Sequence, residues 1–88
     1  MSIELSHPKT IAELLETAEY FGKDTKRKKS IFFKKWIADC DYIIESIESQ
    51  LKKDIFAWHL GQRYTTKDLN NFKAERSLIE DNFLQLIN

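Results

Sequence analysis

The sequence contains few residues that interrupt helices, with two glycines and one proline in 88 positions. A sheet with many tight turns needs more of both, because glycine and proline provide the backbone angles that turns require. The single cysteine excludes an intramolecular disulfide and a zinc site with several thiolates. These scarcities favour a helical protein, and the lone thiol is typical of a reducing compartment.

Long apolar runs and net charge are also missing. No run of about 18 apolar residues occurs, and no basic segment followed by an apolar one opens the chain. We therefore expect a cytoplasmic protein that has no membrane partner. The 14 basic residues balance the 14 acidic ones, so any attraction to nucleic acid or anionic lipid must be local.

Apolar residues recur at intervals of three and four through most of the chain, which is the spacing of one helix face. Thr10 and Glu13 fit a capping box that starts a first helix over residues 11–21, and Gly22 follows as its stop. The next segment has no breaker before Gly61, and its apolar pattern predicts one very long helix over residues 25–59.

A third helix is predicted over residues 66–87, after a possible cap at Thr65 to Asp68. Short connections make neighbouring helices antiparallel. We therefore expect an all-α fold of a short, a very long and a long helix that form antiparallel hairpins in a single domain over residues 1–88. Since a chain of this size seldom buries enough core alone, we expect oligomerisation to complete the fold.

The stretch KRKKSIFFKKW at residues 26–36 mixes basic and large apolar side chains. Helical spacing puts Phe33, Trp36, Cys40, Ile47 and Trp58 on a buried stripe, with the lysines on the solvated side. Residues 22–36 contain seven basic residues and one acidic residue, a net charge of +6. Cations at a helix N-terminus oppose the helix dipole, so we expect an acidic segment or partner to neutralise them.

A second apolar stripe lies opposite the first in the predicted long helix. Ile31, Tyr42 and Phe56 fall on this face at near-heptad spacings. A helix that is apolar on two sides is usually packed between two bodies. This pattern favours a second contact surface, which could receive the first helix, another copy of the chain or a different protein.

Catalytic machinery is not visible in the sequence. His7 and His59 lack metal-site spacing, and Cys40 falls on the predicted buried stripe without a histidine in helical reach. No glycine-rich phosphate loop occurs. We expect no enzyme activity, no metal and no cofactor.

The sequence leaves two hypotheses of different classes. The first is a small interaction protein, of adaptor, inhibitor or immunity type, that binds a partner protein and associates with itself. The alternative is a nucleic-acid-binding module that uses the basic cluster at residues 26–35, and salt dependence would separate the two. The predicted partner-binding residues are Ile31, Tyr42, Phe56, Arg27, Lys34, Lys35, Lys52 and Lys53.

Overall fold

A computed structural model of the chain describes residues 9–88. Over this range the protein is mostly helical, as the composition predicts. The elements are α1 (Ile11–Tyr20), α2 (Lys26–Leu51), β1 (Ala57–His59), β2 (Gln62–Tyr64), α3 (Thr66–Asp81) and α4 (Phe83–Ile87). Four helices and a two-stranded antiparallel hairpin therefore replace the three helices expected from the pattern.

Threonines cap the helices where the sequence predicts that they begin. The Thr10 hydroxyl accepts a hydrogen bond from the Glu13 amide at 3.2 Å, and the Thr25 hydroxyl accepts one from the Lys28 amide at 3.1 Å. At the start of α3 the Thr65 amide donates to the Asp68 carboxylate at 2.8 Å. Each bond satisfies a polar group that a helix terminus leaves without an intrahelical partner.

The predicted helix over residues 25–59 ends at Leu51. The Gln50 carbonyl accepts the amides of both Lys53 and Asp54 at 3.0 Å, which closes the last turn tightly. The Asp54 carboxylate then accepts the Ile55 amide at 2.7 Å, a local bond that competes with helix continuation. The apolar residues between Leu51 and Gly61 fit helical spacing but form no helix.

Residues 57–64 form a hairpin with a two-residue turn at Leu60 and Gly61. The φ angles of these residues are 50° and 79°, and two consecutive positive values match the right-handed twist of the strands they join. Ala57 pairs with Tyr64, Trp58 with Arg63 and His59 with Gln62. Gly61 is therefore a hairpin residue rather than the helix stop that the pattern indicates.

The predicted helix over residues 66–87 is interrupted at Asn82. The Asn82 side-chain amide donates to the Leu78 carbonyl at 2.9 Å, and its backbone amide donates to the same carbonyl at 3.2 Å. Asparagine competes with the helical bond pattern in this way. The interruption separates α3 from α4, and it lets Leu86 and Ile87 pack in the core beside α1.

Two apolar clusters lie along α2. One joins all four helices around Leu14, Phe33, Ile79 and Leu86, and the other joins α2, the hairpin and α3 around Ile47, Ala57, Leu69 and Phe72. The stripe prediction is correct for Phe33, Cys40 and Ile47, which are buried. It is wrong for Trp58, whose side chain is 60% exposed, because the hairpin turns it outward.

Candidate protein-binding surfaces

The predicted partner-binding residues divide between the two ends of α2. Ile31 and Tyr42 lie on α2 with exposed side chains, whereas Phe56 lies beyond its end, beside the hairpin. The cations divide in the same way, since Arg27, Lys34 and Lys35 belong to the first three turns of α2, and Lys52 and Lys53 follow its last residue. About 37 Å of helix separates Arg27 from Lys52, so these cations do not form one basic patch.

A groove of about 710 Å³ runs along one face of α2. We call it the α2 groove. The α2 residues that line it are spaced three and four apart, so they form a continuous helical face of about four turns. Half-buried Phe32, Trp36 and Ile43 make the apolar floor, and exposed Ile31 lies at one edge.

The walls of the α2 groove come from three other elements. Thr17 of α1 and Phe21, which follows α1, line one part, while Tyr64 of β2 and Phe72 and Glu75 of α3 line another. Aromatic rings join floor and walls: the Phe21 and Phe32 centroids are 5.9 Å apart, and those of Tyr64 and Phe72 are 5.7 Å apart. Burial, then the charge of Asp68, raises the pKa of the Tyr64 hydroxyl.

Lysines surround the end of the groove nearest the connection between α1 and α2. Lys23 and Lys28 line this end, and Lys35 lines the groove about two turns further along α2. The Lys23 ammonium lies 6.0 Å from the centre of the Phe32 ring, and Lys28 pairs with exposed Asp24 at 3.3 Å. Over residues 9–88, no carboxylate lies within 4.0 Å of the Lys35 ammonium. This end of the groove is therefore apolar and electropositive.

A buried ion pair lies at the middle of the groove. Glu75 of α3 is only 5% exposed, and its carboxylate is 3.2 Å from the Lys9 ammonium. The same ammonium lies 5.8 Å from the centre of the Trp36 ring. Since Lys9 precedes α1, this contact joins the start of α1 to α3 across the floor of the groove.

A second apolar surface faces outward from the hairpin. We call Phe56, Trp58 and Arg63 the outer hairpin face. Alternation along β1 buries Ala57 and His59 and exposes Trp58, and Phe56, two residues before Trp58, shares its side. The Arg63 guanidinium lies 4.5 Å from the centre of the Phe56 ring. Ile55 and Leu60, beside this face, are 77% and 90% exposed.

The inner side of the hairpin is fixed to α2 by polar contacts. The Gln50 side-chain amide donates to the Trp58 carbonyl, and its oxygen accepts from the Trp58 amide, both at 2.8 Å. His59 Nδ1 lies 3.3 Å from the Ser46 hydroxyl, and the His59 ring contacts Tyr42 edge-on at a centroid distance of 5.3 Å. These contacts occupy the edge of β1 that is not paired with β2, and they hold the Trp58 side chain toward solvent.

The environment of Cys40 does not activate its thiol. Cys40 is buried, and burial raises the pKa of its thiol to about 12, with the charges of Glu75 and Asp41 acting in the same direction. No group of three histidine, cysteine or acidic side chains in this range could hold a metal ion. His7 lies outside the described residues. No helix over residues 9–88 combines the length and apolar composition that crossing a membrane requires.

The sequence patterns predicted neither the α2 groove nor the outer hairpin face as a single surface. Trp36 fitted the core stripe, and no pattern assigned Phe32 and Ile43 to a separate face. Their spacing was the available signal: residues 32, 36 and 43 cluster about 70° around the helix from buried Phe33 and Cys40. Whether α1 or α3 covers that face depends on tertiary packing. The outer hairpin face could have been recognised only from the alternation around Leu60 and Gly61.

Comparisons with protein families, with curated proteins and with solved structures found no match for this chain.

Proposed function

We propose that this chain is a non-enzymatic interaction protein, of adaptor, inhibitor or immunity type, that binds a partner protein and associates with copies of itself. The observation that supports it best is the α2 groove. Its volume is about 710 Å³, and large apolar and aromatic side chains are among the residues that line it. Its floor is a helical face that the other elements within residues 9–88 leave partly uncovered.

The outer hairpin face supports the same proposal independently. Tryptophan, phenylalanine and arginine are enriched where protein interfaces concentrate their binding energy. Here Trp58 and Arg63 are directly paired across the hairpin, and Phe56 lies against the Arg63 guanidinium. A surface of this composition on the hairpin, away from the lysines of the groove, suits self-association.

Affinity capture from the source cell with two matched variants tests the proposed function. Ile31→Glu places a charge at the edge of the groove, and Leu84→Glu makes the same change at an exposed position of α4 that does not line it. Both side chains are exposed, at 61% and 72%, so both variants should fold. We expect a protein captured by the wild type to be lost with Ile31→Glu and retained with Leu84→Glu.

The captured protein must then bind the purified chain directly, with the same difference between the two variants. If Ile31→Glu retains every partner of the wild type, the α2 groove is not the binding surface. Circular dichroism of both variants confirms that each is folded before the comparison is made.

Nucleic acid is the second candidate partner, and the cations at the start of α2 favour it. Lys26, Arg27 and Lys34 have exposed side chains. Phosphate contacts release counterions, so affinity for DNA or RNA would fall steeply with salt. Nuclease treatment of the lysate distinguishes the candidates: a protein partner persists after treatment, whereas one bridged by nucleic acid is lost.

A further inference from the structure

The α2 groove has the length, shape and charge to bind a helix of a partner protein. The face of α2 from Lys28 to Ile43 spans about 22 Å at 1.5 Å per residue, and it lines the groove throughout. Side chains spaced three and four apart form ridges, and the ridges of a second helix pack into the grooves between them. An amphipathic helix that lies in an apolar groove is a common mode of peptide recognition.

The charges around the groove select the kind of helix. Lys23 and Lys28 line one end and Lys35 lies about two turns further along α2, all within the segment over residues 22–36, which has a net charge of +6. Lys28 lies in the first turn of α2, where a cation opposes the helix dipole, so helix stability does not account for a cation at this position. Two carboxylates also line the groove: Glu75 is paired with Lys9, and with Asp39 counted the four lysines and two acidic residues of the lining have a net charge of +2.

We propose that the α2 groove binds an acidic amphipathic helix of a partner protein, with its apolar side on Phe32, Trp36 and Ile43 and its carboxylates beside Lys28 and Lys35. This inference rests on the proposed function and specifies the chemistry of the partner at that site. The apolar contacts supply most of the affinity, and the lysines discriminate between partners of opposite charge.

Trp36 reports occupancy of the groove directly. The chain has two tryptophans, and the other, Trp58, is on the outer hairpin face. Trp58→Phe therefore leaves Trp36 as the single tryptophan and retains an aromatic side chain at the hairpin. A helix packed on the floor of the groove removes water from the Trp36 ring and shifts its fluorescence to shorter wavelength.

The probes are two synthetic peptides of about 16 residues, which is about 24 Å of helix. Both have leucines spaced three and four apart on an alanine-rich background. One has glutamates beside the leucines, and the other has lysines at the same positions. We expect the glutamate peptide to bind at least about tenfold more tightly, and the difference to shrink as salt screens the charges.

Charge reversal at two positions tests which lysines select the peptide. Lys28→Glu with Lys35→Glu should invert the preference, so that the lysine peptide binds more tightly. Lys52→Glu with Lys53→Glu makes the same change in net charge beyond the other end of α2, and it should leave the preference unchanged. Circular dichroism checks that both double variants remain helical.

Several results would overturn the inference. Equal binding of both peptides, binding of neither peptide, or inversion of the preference by the Lys52 and Lys53 changes would each do so. Dodecanoate, added below its micelle concentration, is the comparison for an anionic lipid. A Trp36 shift with dodecanoate but not with the glutamate peptide would assign the groove to a lipid.

If the chain shows no preference for the glutamate peptide, the proposed function is not contradicted. In that case a captured protein would still be lost with Ile31→Glu, but its binding segment would not be an acidic helix. If capture also fails, both the proposed function and this inference are contradicted.

Discussion

Individual buried polar groups determine where this small protein is sensitive to substitution. Glu75 is 5% exposed, and Lys9 is the cation that pairs with its carboxylate. A buried charge that loses its partner retains the cost of leaving water without the compensating attraction. Surface pairs such as Lys73 with Glu48 have side chains that are each nearly half exposed. Loss of one partner costs little there, because water solvates the charge that remains.

Lys9→Met should lower the free energy of unfolding by about 1–3 kcal/mol, because it leaves the Glu75 carboxylate buried without a partner. Urea denaturation measures the change. Lys73→Met is the matched control and should cost less than about 1 kcal/mol. Adding Glu75→Met to Lys9→Met should recover part of the loss. If Lys9→Met and Lys73→Met lower the free energy of unfolding equally, the buried pair of Lys9 and Glu75 contributes no more than a surface pair.

The Cys40 thiol should be unreactive in the folded protein. Burial raises its pKa from 9.0 to about 12, so only about one molecule in 10⁴ has a thiolate at pH 8, and the thiolate is the reactive form. We expect negligible labelling by a disulfide reagent at pH 8 in buffer and complete labelling in guanidinium. Rapid labelling of the folded chain would contradict the buried position.

The same pKa shift affects stability at high pH. The folded state holds the thiol proton more tightly than the unfolded state, so this contribution to stability is complete below pH 9.0 and is lost as pH rises toward 12. Lysine and tyrosine titrate in the same window, so Cys40→Ala is the reference that removes the thiol alone. The stability difference between wild type and Cys40→Ala should therefore change in favour of Cys40→Ala above pH 9.0, as denaturation across this range would show.

At the scale of elements, the hairpin is the feature that most alters the surface of the protein. It ends α2 at Leu51, turns Trp58 outward and places Ala57 in the core. The turn requires positive φ at Leu60 and Gly61. A leucine at φ 50° is strained, because its Cβ lies too close to the following carbonyl.

Leu60→Asn should therefore stabilise the protein by about 0.5–1 kcal/mol, since asparagine adopts the left-handed region at lower cost. Thermal denaturation measures the difference. Leu84→Asn is the control at an exposed helical position, where it should destabilise by a few tenths of a kcal/mol. A loss of stability with Leu60→Asn would indicate that the Leu60 side chain, 90% exposed in one chain, is covered by another chain.

The protein as a whole is elongated, with extents of 42 × 24 × 19 Å over the described residues. Its core is divided into two clusters along α2 rather than gathered into one. A thin core supplies limited stability in a chain of this size. Association through an apolar surface such as the outer hairpin face would add to it.

We predict that the chain associates at micromolar concentration. Light scattering across a hundredfold dilution should show a species larger than the monomer, and the melting temperature should rise with protein concentration by mass action. Trp58→Glu should abolish association without unfolding the monomer, because the side chain is 60% exposed. A monomeric mass and a melting temperature independent of concentration would contradict the prediction.

Phe56→Glu tests the same face beside Arg63, and Tyr42→Glu is the comparison at an exposed position of α2 outside the outer hairpin face. Loss of association with Phe56→Glu alone assigns the contact to the hairpin. If only Tyr42→Glu abolishes association, the contact is instead on the exposed side of α2.

The helical character, the starts of all three predicted helices and the burial of Phe33, Cys40 and Ile47 follow from the sequence alone. Capping bonds act over three residues, and helical periodicity repeats every turn, so both are local and can be recognised without knowledge of the fold. The hairpin could not be recognised by the same reasoning, because its strands are three residues long and their apolar residues also fit a helix. What ends α2 is in part the pairing of Gln50 with Trp58, eight residues away.

The two candidate surfaces depend on tertiary structure in the same way. Ile31, Tyr42 and Phe56 are recognisable as exposed from local spacing, but the sequence assigns them to one stripe, whereas the fold separates Phe56 from the other two. The α2 groove forms where residues of α1, β2 and α3 line the face containing Trp36 and Ile43 and leave it partly uncovered within residues 9–88. Spacing along one helix determines which residues share a face, whereas only the packing of the other elements decides whether that face is covered.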